Sequence, residues 1–254
     1  MKNGVIVCRP PGCLLGNATM CWLFAKAHAE RVGAELVTKP WIGQKVWNLT
    51  EREPTAQEDA FPVRSDVDLQ PDETNVVIRA YAQHQRGMIY TKTQAREWLK
   101  FRYSLDEVLT VASSALATWC THIAHRRVGD FKGKGSLWPI VSQKSIEQVF
   151  ESMVPESVAH TLIVSQEEPL SMNPKMPEEL SMLGDFMALV EAKRVLIRSN
   201  SSFSWVAALL SDAEVWSPRI DGLTGGVEAD VAFERGNHCK LGNFDLCSDL
   251  HVAN

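Results

Sequence analysis

Near the N-terminus, Gly4-Val-Ile-Val-Cys8 forms an apolar run that Pro10 and Pro11 cut off. A short run without alternation reads as a strand buried on both faces, the kind found inside parallel sheets. Arg9 to Leu15 reads as a loop. Asn17 to Arg31 then places Met20, Leu23, Phe24 and Ala27 at the spacing of a helix face, and Gly33 closes it. Ala34 to Thr38 follows as a second strand. Parallel neighbours need a crossover between them, so strand, helix and strand in this order imply an α/β layer with a Rossmann-like opening.

The alternation resumes further on. Val76–Ala80 is a strand candidate, and Thr93 through Leu116 is predicted largely helical, with Trp98, Leu99, Phe101, Leu105, Val108 and Leu109 on its apolar face. Next come a strand at Cys120–Ala124, a helix at Ser145–Val154 with Ser145 and Gln148 as a capping box, and a strand at His160–Val164. A helix at Pro177–Lys193, a strand at Arg194–Arg198 and a helix at Phe203–Leu210 complete the array. Two such arrays predict two Rossmann-like α/β domains facing a cleft, residues 1–112 and 113–254. Between them in character lies Asn48–Asn75, with eight acidic residues from Glu51 to Glu73 and three prolines, which reads as a long surface excursion. From Ser217 onward the chain is polar and glycine-rich and yields no assignment.

At 254 residues the chain has room for one large domain or for two small ones with cores of their own. Its formal net charge of -5 repels polyphosphate, which argues against a nucleic-acid partner and confines any phosphate site to a local patch. The six cysteines (Cys8, Cys13, Cys21, Cys120, Cys239, Cys247) contain no C-x-x-C pair, so a zinc ribbon or thioredoxin-type centre is not indicated. No apolar stretch reaches membrane-spanning or signal-peptide length. These features place the protein in a reducing, cytoplasmic setting, with the sequons at Asn17, Asn48 and Asn200 as chance matches.

Three stretches could carry chemistry. Ala124-His-Arg-Arg-Val-Gly-Asp-Phe131 falls where a strand ends, the position at which open α/β sheets bind ligands. An arginine there grips phosphate or carboxylate oxygens bidentately, each charge-assisted bond being worth about 1.5–3 kcal/mol. The same residues also fit a solvated basic turn paired with Asp130. Ser199-Asn-Ser-Ser-Phe-Ser-Trp205 lies between a strand and a helix start, where free N–H groups and the helix dipole favour an anion. Plain N-capping by Ser201 or Ser202 fits it too. The third stretch, Leu14-Leu-Gly-Asn-Ala18, lacks the G-x-G-x-x-G spacing, which disfavours a dinucleotide site.

In order, these three stretches resemble the GDP-fucose-dependent α-1,2-fucosyltransferases of glycosyltransferase family 11. Leu15-Gly16-Asn17 through Phe24-Ala25-Lys26-Ala27 aligns with that family's G-G-L-G-N-Q-M-F-Q-Y-A-F-A-K-A segment. His125–Phe131 aligns with its H-x-R-R-G-D-Y, and Ser199–Trp205 with its S-N-S-S-F-S-W-W; Tyr81-Ala-Gln83 is a weaker echo of G-Y-F-Q. The resemblance implies a GT-B fold, a GDP-fucose donor held mainly by the C-terminal domain, a glycan acceptor, and no metal or other cofactor. It implies that Arg127 binds the β-phosphate and His125 lies near the nucleotide. Asn200, Ser201, Ser202, Phe203 and Ser204 would line the phosphate site, Gly16 and Asn17 would face it, and Asp185 would assist guanine recognition. Arg127 and Asp130 are the candidate catalytic residues, Asp130 either as base or as a brace for the loop. The chain departs from the family at Cys13-Leu14, Ala18, Val128 and Val206, which bears on donor and acceptor more than on fold.

Two alternatives remain. Asp66-Val67-Asp68 matches the D-x-D with which GT-A transferases hold Mn²⁺ or Mg²⁺, although its acidic surroundings read as a solvated loop. The chain could also bind a nucleotide or glycan without turning it over, since a fold does not guarantee activity.

Overall fold

A computed structural model describes residues 4–12, 15–83, 87–129, 132, 139–153, 160–220, 228–237, 239–241 and 244–246. The chain divides into two compact units between Arg102 and Tyr103, where the sequence reading set its boundary at residue 112.

In the first unit, strands β1 (Val5–Cys8), β2 (Glu35–Thr38), β3 (Val63–Arg64) and β4 (Val76–Ile78) form a sheet in the order β2-β1-β4-β3, all parallel. Helix α1 (Leu15–Val32) makes the crossover from β1 to β2, and 18 residues at 1.5 Å each give it a length of about 27 Å. It is buried on nearly every side from Leu15 to Ala29, and Trp22 and Phe24 belong to the core. Its end is set by Gly33, whose φ of 67° lies in the left-handed region. Gly33 N–H reaches Glu30 O at 3.2 Å and Ala34 N–H reaches Ala29 O at 2.9 Å, which is a Schellman closure.

The stretch at 48–75 is not the free excursion expected. It contains a 3₁₀ turn at Glu58–Ala60 and lays β3 along β4 as the sheet edge. Arg9, from outside the stretch, reaches Asp59 at 2.7 Å, while Arg52 with Glu58 at 2.7 Å and Arg64 with Glu73 at 2.8 Å brace it internally. Asp66 is buried, contrary to the solvated loop expected, and the Asp68 carboxylate accepts from the Ser65 hydroxyl at 2.8 Å.

The stretch at 93–116, expected as one helix or two, is three short ones, after a single-turn α2 (Gly43–Val46): α3 (Lys92–Trp98), α4 (Leu105–Val108) and α5 (Val111–Trp119). Thr91, Ser104 and Thr110 start them, each bonding N–H groups of the following turn; Thr91 with Gln94 and Ser104 with Glu107 form capping boxes. A hydroxyl that satisfies the first turn in this way favours a new start over continuation.

The second unit is built on β5 (His122–Arg126), β6 (Ile140–Val141), β7 (Thr161–Ser165), β8 (Val195–Ile197), β9 (Glu214–Pro218), β10 (Glu228–Ala229) and β11 (Phe233–Arg235). The main sheet runs β11-β9-β8-β5-β7, parallel except for the antiparallel edge β11, and β6 pairs with β10 apart from it. Helix α6 (Gln143–Met153) places Ile146 and Phe150 against Ala124, Val195 and Ile197. It starts two residues before the predicted Ser145 cap: Ser142 Oγ accepts Ser145 N–H at 3.1 Å, so the cap falls on Ser142. The helix expected at 177–193 is a 3₁₀ turn at Glu178–Leu180 followed by α7 (Leu183–Val190), and α8 (Ser202–Leu210) stands as expected. A small hairpin of β12 (Cys239–Leu241) and β13 (Phe244–Leu246) ends the described chain. Both units have the α/β class read from the sequence. Among the described residues no helix is long and apolar enough to cross a membrane.

Replacing Gly33 with alanine keeps the helix but puts a Cβ on a left-handed residue. Urea denaturation of Gly33→Ala should show a loss of about 1–2 kcal/mol; an unchanged midpoint would mean the closure does not depend on that φ.

Candidate functional site

In the second unit the chain passes from β5 through α6 to β7, then returns across β5 to β8. The order therefore reverses between β5 and β8, and the C-terminal ends of those strands mark the switch point at which α/β sheets bind ligands. Both sequence-predicted motifs of this unit lie there. His125 and Arg126 end β5, with Arg127 just beyond, and Ser199–Ser201 join β8 to α8.

Alternation along β5 separates the basic residues. Arg126 turns to one face, where it pairs with Glu228 at 3.0 Å and Glu167 at 3.5 Å. His125 and Arg127 are buried, 4% and 7% exposed, so the solvated basic turn does not form. Asp130 and Phe131 lie outside the described residues. His125 Nδ1 and Ser199 Oγ are 2.8 Å apart, which ties the end of β5 to the serine turn. The imidazole also stacks at 5.2 Å on Phe203, which meets Phe186 of α7 edge-on at 5.0 Å. Burial, followed by the charges of Arg127 and Arg198, pushes His125 down to about 3. It is therefore a neutral hydrogen-bonding group at physiological pH, unable to serve as a cation and a weak base.

The serine turn has divided duties. Ser201 Oγ accepts the Phe203 N–H at 3.2 Å and is the N-cap of α8, as the capping alternative expected. Ser204 is fully buried and its hydroxyl donates to the carbonyls of Ser199 and Ser201, both at 3.2 Å. Asn200 donates to Pro139 O at 3.1 Å, and its Oδ1 is buried with no hydrogen-bond partner among the described residues. Ser202, half-buried on the first turn, is the hydroxyl of this group most open to solvent. The dipole of α8 and its first N–H groups add positive potential at this turn.

Arg198 escaped the sequence reading, which counted it only as a strand end. It is 1% exposed, and the available signal was the absence of any acidic residue between Glu191 and Asp212. An arginine closing a buried strand in such a stretch has no local counter-charge.

Asp185 opens α7 in a buried position, where Oδ1 accepts the Leu170 N–H at 2.9 Å. Burial raises it to about 6, against the lowering effect of that bond.

In the first unit, Gly16 and Asn17 lie in the first turn of α1, beyond the C-terminal end of β1. Gln83, from the echo after β4, donates to Asn17 Oδ1 at 2.6 Å, so two separate stretches of the resemblance meet at one sheet edge. Ala82 beside it has a φ of 50°, a conformation disfavoured for a residue with a Cβ, which fixes the direction of Gln83. Among the described residues no group of three or more His, Cys, Asp or Glu could hold a metal ion, the D-x-D included.

No protein-family model matches the chain, and no curated protein matches it. One solved structure, NodZ alpha-1,6-fucosyltransferase soaked with GDP-fucose, is similar at 15% identity and a TM-score of 0.49, covering 92% of this chain and 99% of that one. A likeness of that size assigns neither activity nor substrate.

The folded-state value of Asp185 exceeds the ordinary aspartate value of about 3.9. The folded chain thus binds this proton more tightly than the unfolded chain. That stability is complete below about pH 4 and is lost as pH rises through about 6. Asp185→Asn keeps the acceptor for Leu170 and cannot ionise. It should exceed the parent in stability by roughly 2 kcal/mol at about pH 7.5 and match it near pH 4. Chemical denaturation at the two pH values checks this, and a variant weaker than the parent at the higher pH would contradict it.

Proposed function

We propose that the protein is an inverting glycosyltransferase that moves L-fucose from GDP-fucose to a glycan hydroxyl, with α-1,2 linkage the first to test. The observation that carries the reading is the His125–Ser199 bond. It brings the two motifs with the strongest family resemblance to one sheet edge, next to buried Arg127 and the start of α8.

In the reaction, the acceptor hydroxyl attacks the anomeric carbon while the bond to the diphosphate oxygen breaks. The electron pair leaves with GDP, and the hydroxyl proton passes to a base. Charge grows on the β-phosphate as the sugar gains oxocarbenium character. Arg127 and the N–H groups of α8 stabilise that charge, so the chemistry asks for no divalent cation. His125, neutral and bonded to Ser199, orients the serine turn and is too weak a base to take the proton. In the first unit the paired amides of Asn17 and Gln83 present donor and acceptor atoms suited to hydroxyl groups.

A second reading, binding without turnover, draws support from Val128. It is buried and apolar where the resembled motif has a second arginine. It would give stabilisation by GDP without sugar transfer from any donor.

Arg127→Lys replaces a bidentate fork with a point charge. Fucose transfer from GDP-fucose across an acceptor panel should fall about a hundredfold to a thousandfold in kcat/KM, and full activity would remove Arg127 from the mechanism. Wild-type turnover should be unchanged by EDTA; loss of activity restored by Mn²⁺ or Mg²⁺ would return attention to a metal-dependent site.

A further inference from the structure

Two guanidinium groups are buried among the described residues, Arg127 and Arg198. Arg198 is the deeper, and its partners do not match its charge. Nη1 donates to Asn237 Oδ1 at 3.1 Å, while Nε and Nη2 are buried with no hydrogen-bond partner among the described residues. Among the described residues no carboxylate pairs with it. One bond to a neutral amide does not offset the cost of removing such a cation from water. A buried charge of this kind is retained where an anion completes it.

Its placement says where that anion would sit. The β5–β8 register pairs Ile123 with Leu196 and Ala124 with Ile197; carried one residue on, it brings Arg198 level with His125. Asn237, which holds Arg198, also donates to Trp205 O at 3.3 Å in α8. The guanidinium is thereby linked to the first turns of α8, on the strand beside the one that leads to Arg127. Oδ1 of Asn200 in the same turn is also buried with no hydrogen-bond partner among the described residues; as an acceptor it suits a ligand N–H or hydroxyl and not a phosphoryl oxygen.

We propose that Arg198 is a second anion-binding guanidinium of this site, donating from Nε and Nη2 to a phosphoryl oxygen of a nucleoside diphosphate at the start of α8. It deepens, and rests on, the reading of this edge as a phosphate site. It does not depend on which sugar is transferred, or whether one is.

The test is binding of inorganic pyrophosphate and of GDP, followed by thermal unfolding over a concentration series, for wild type, Arg198→Met and Arg198→Lys. Both probes should raise the wild-type Tm. Arg198→Met should bind them about tenfold to a hundredfold more weakly, with Arg198→Lys in between. Without ligand, Arg198→Met should melt no lower than wild type, because it removes an uncompensated charge from the interior; a purely structural arginine would instead leave a weaker fold with unchanged affinity. Equal affinity in wild type and Arg198→Met, or no stabilisation of wild type by either probe, overturns the proposal. Should the methionine variant not fold, Arg198→Lys decides: weakened binding supports the assignment and wild-type binding overturns it. Probe binding that depends on Arg198 without sugar transfer would sink the transferase reading and leave this one standing.

Discussion

The contact between His125 and Ser199 joins segments 74 residues apart, and the second unit's chemistry is arranged around it. It exists because β5 and β8 are parallel neighbours whose C-terminal ends finish side by side. With the imidazole held there, Arg127 follows from one strand and the start of α8 from the other. The price is a histidine and two arginines buried together. The histidine meets it by staying neutral, which makes it a hydrogen-bonding strut between the strand and the serine turn.

Like charges brought together in a protein interior lower stability unless something of opposite sign is bound. Asp185 is the opposite case in the same unit, a carboxyl pushed toward its protonated form by burial and not neutralised by a cation. Stability given up at particular positions is what a preorganised site costs, since dipoles and charges fixed beforehand need no rearrangement when the ligand's charge develops. Val128 fits this picture. It is apolar and buried beside Arg127, and the second buried guanidinium comes from the adjacent strand instead.

The first unit repeats the architecture with different chemistry. At its sheet edge Gln83 is bonded to Asn17 beside the strained Ala82, and the arginine that follows β1, Arg9, is paired with Asp59. The ion pairs that bind the acidic segment 48–75 to the rest of this unit, Arg9 and Lys39 with Asp59 and Arg52 with Glu35, are partly exposed, and each contributes little alone. Their importance is geometric, because they seat the segment that carries β3 along β4.

The α/β class, the main strands and the helices α1 and α8 were legible in the sequence because they depend on local pattern: apolar runs, 3.6-residue periodicity, a closing glycine at Gly33, a serine cap at Ser201. So were the two motifs at the edge of the second sheet. Interruption of the 93–116 stretch was legible in part, at Thr91, Ser104 and Thr110, but apolar periodicity masked it. What the tertiary structure alone decided is pairing. That Arg9 would meet Asp59, that Gln83 would meet Asn17, and that Arg198 would be buried and bonded to Asn237 are consequences of strand order and register. A chain's local pattern fixes which elements form, whereas the charge felt by a side chain depends on neighbours brought from far along the sequence, and those are set only when the sheet assembles.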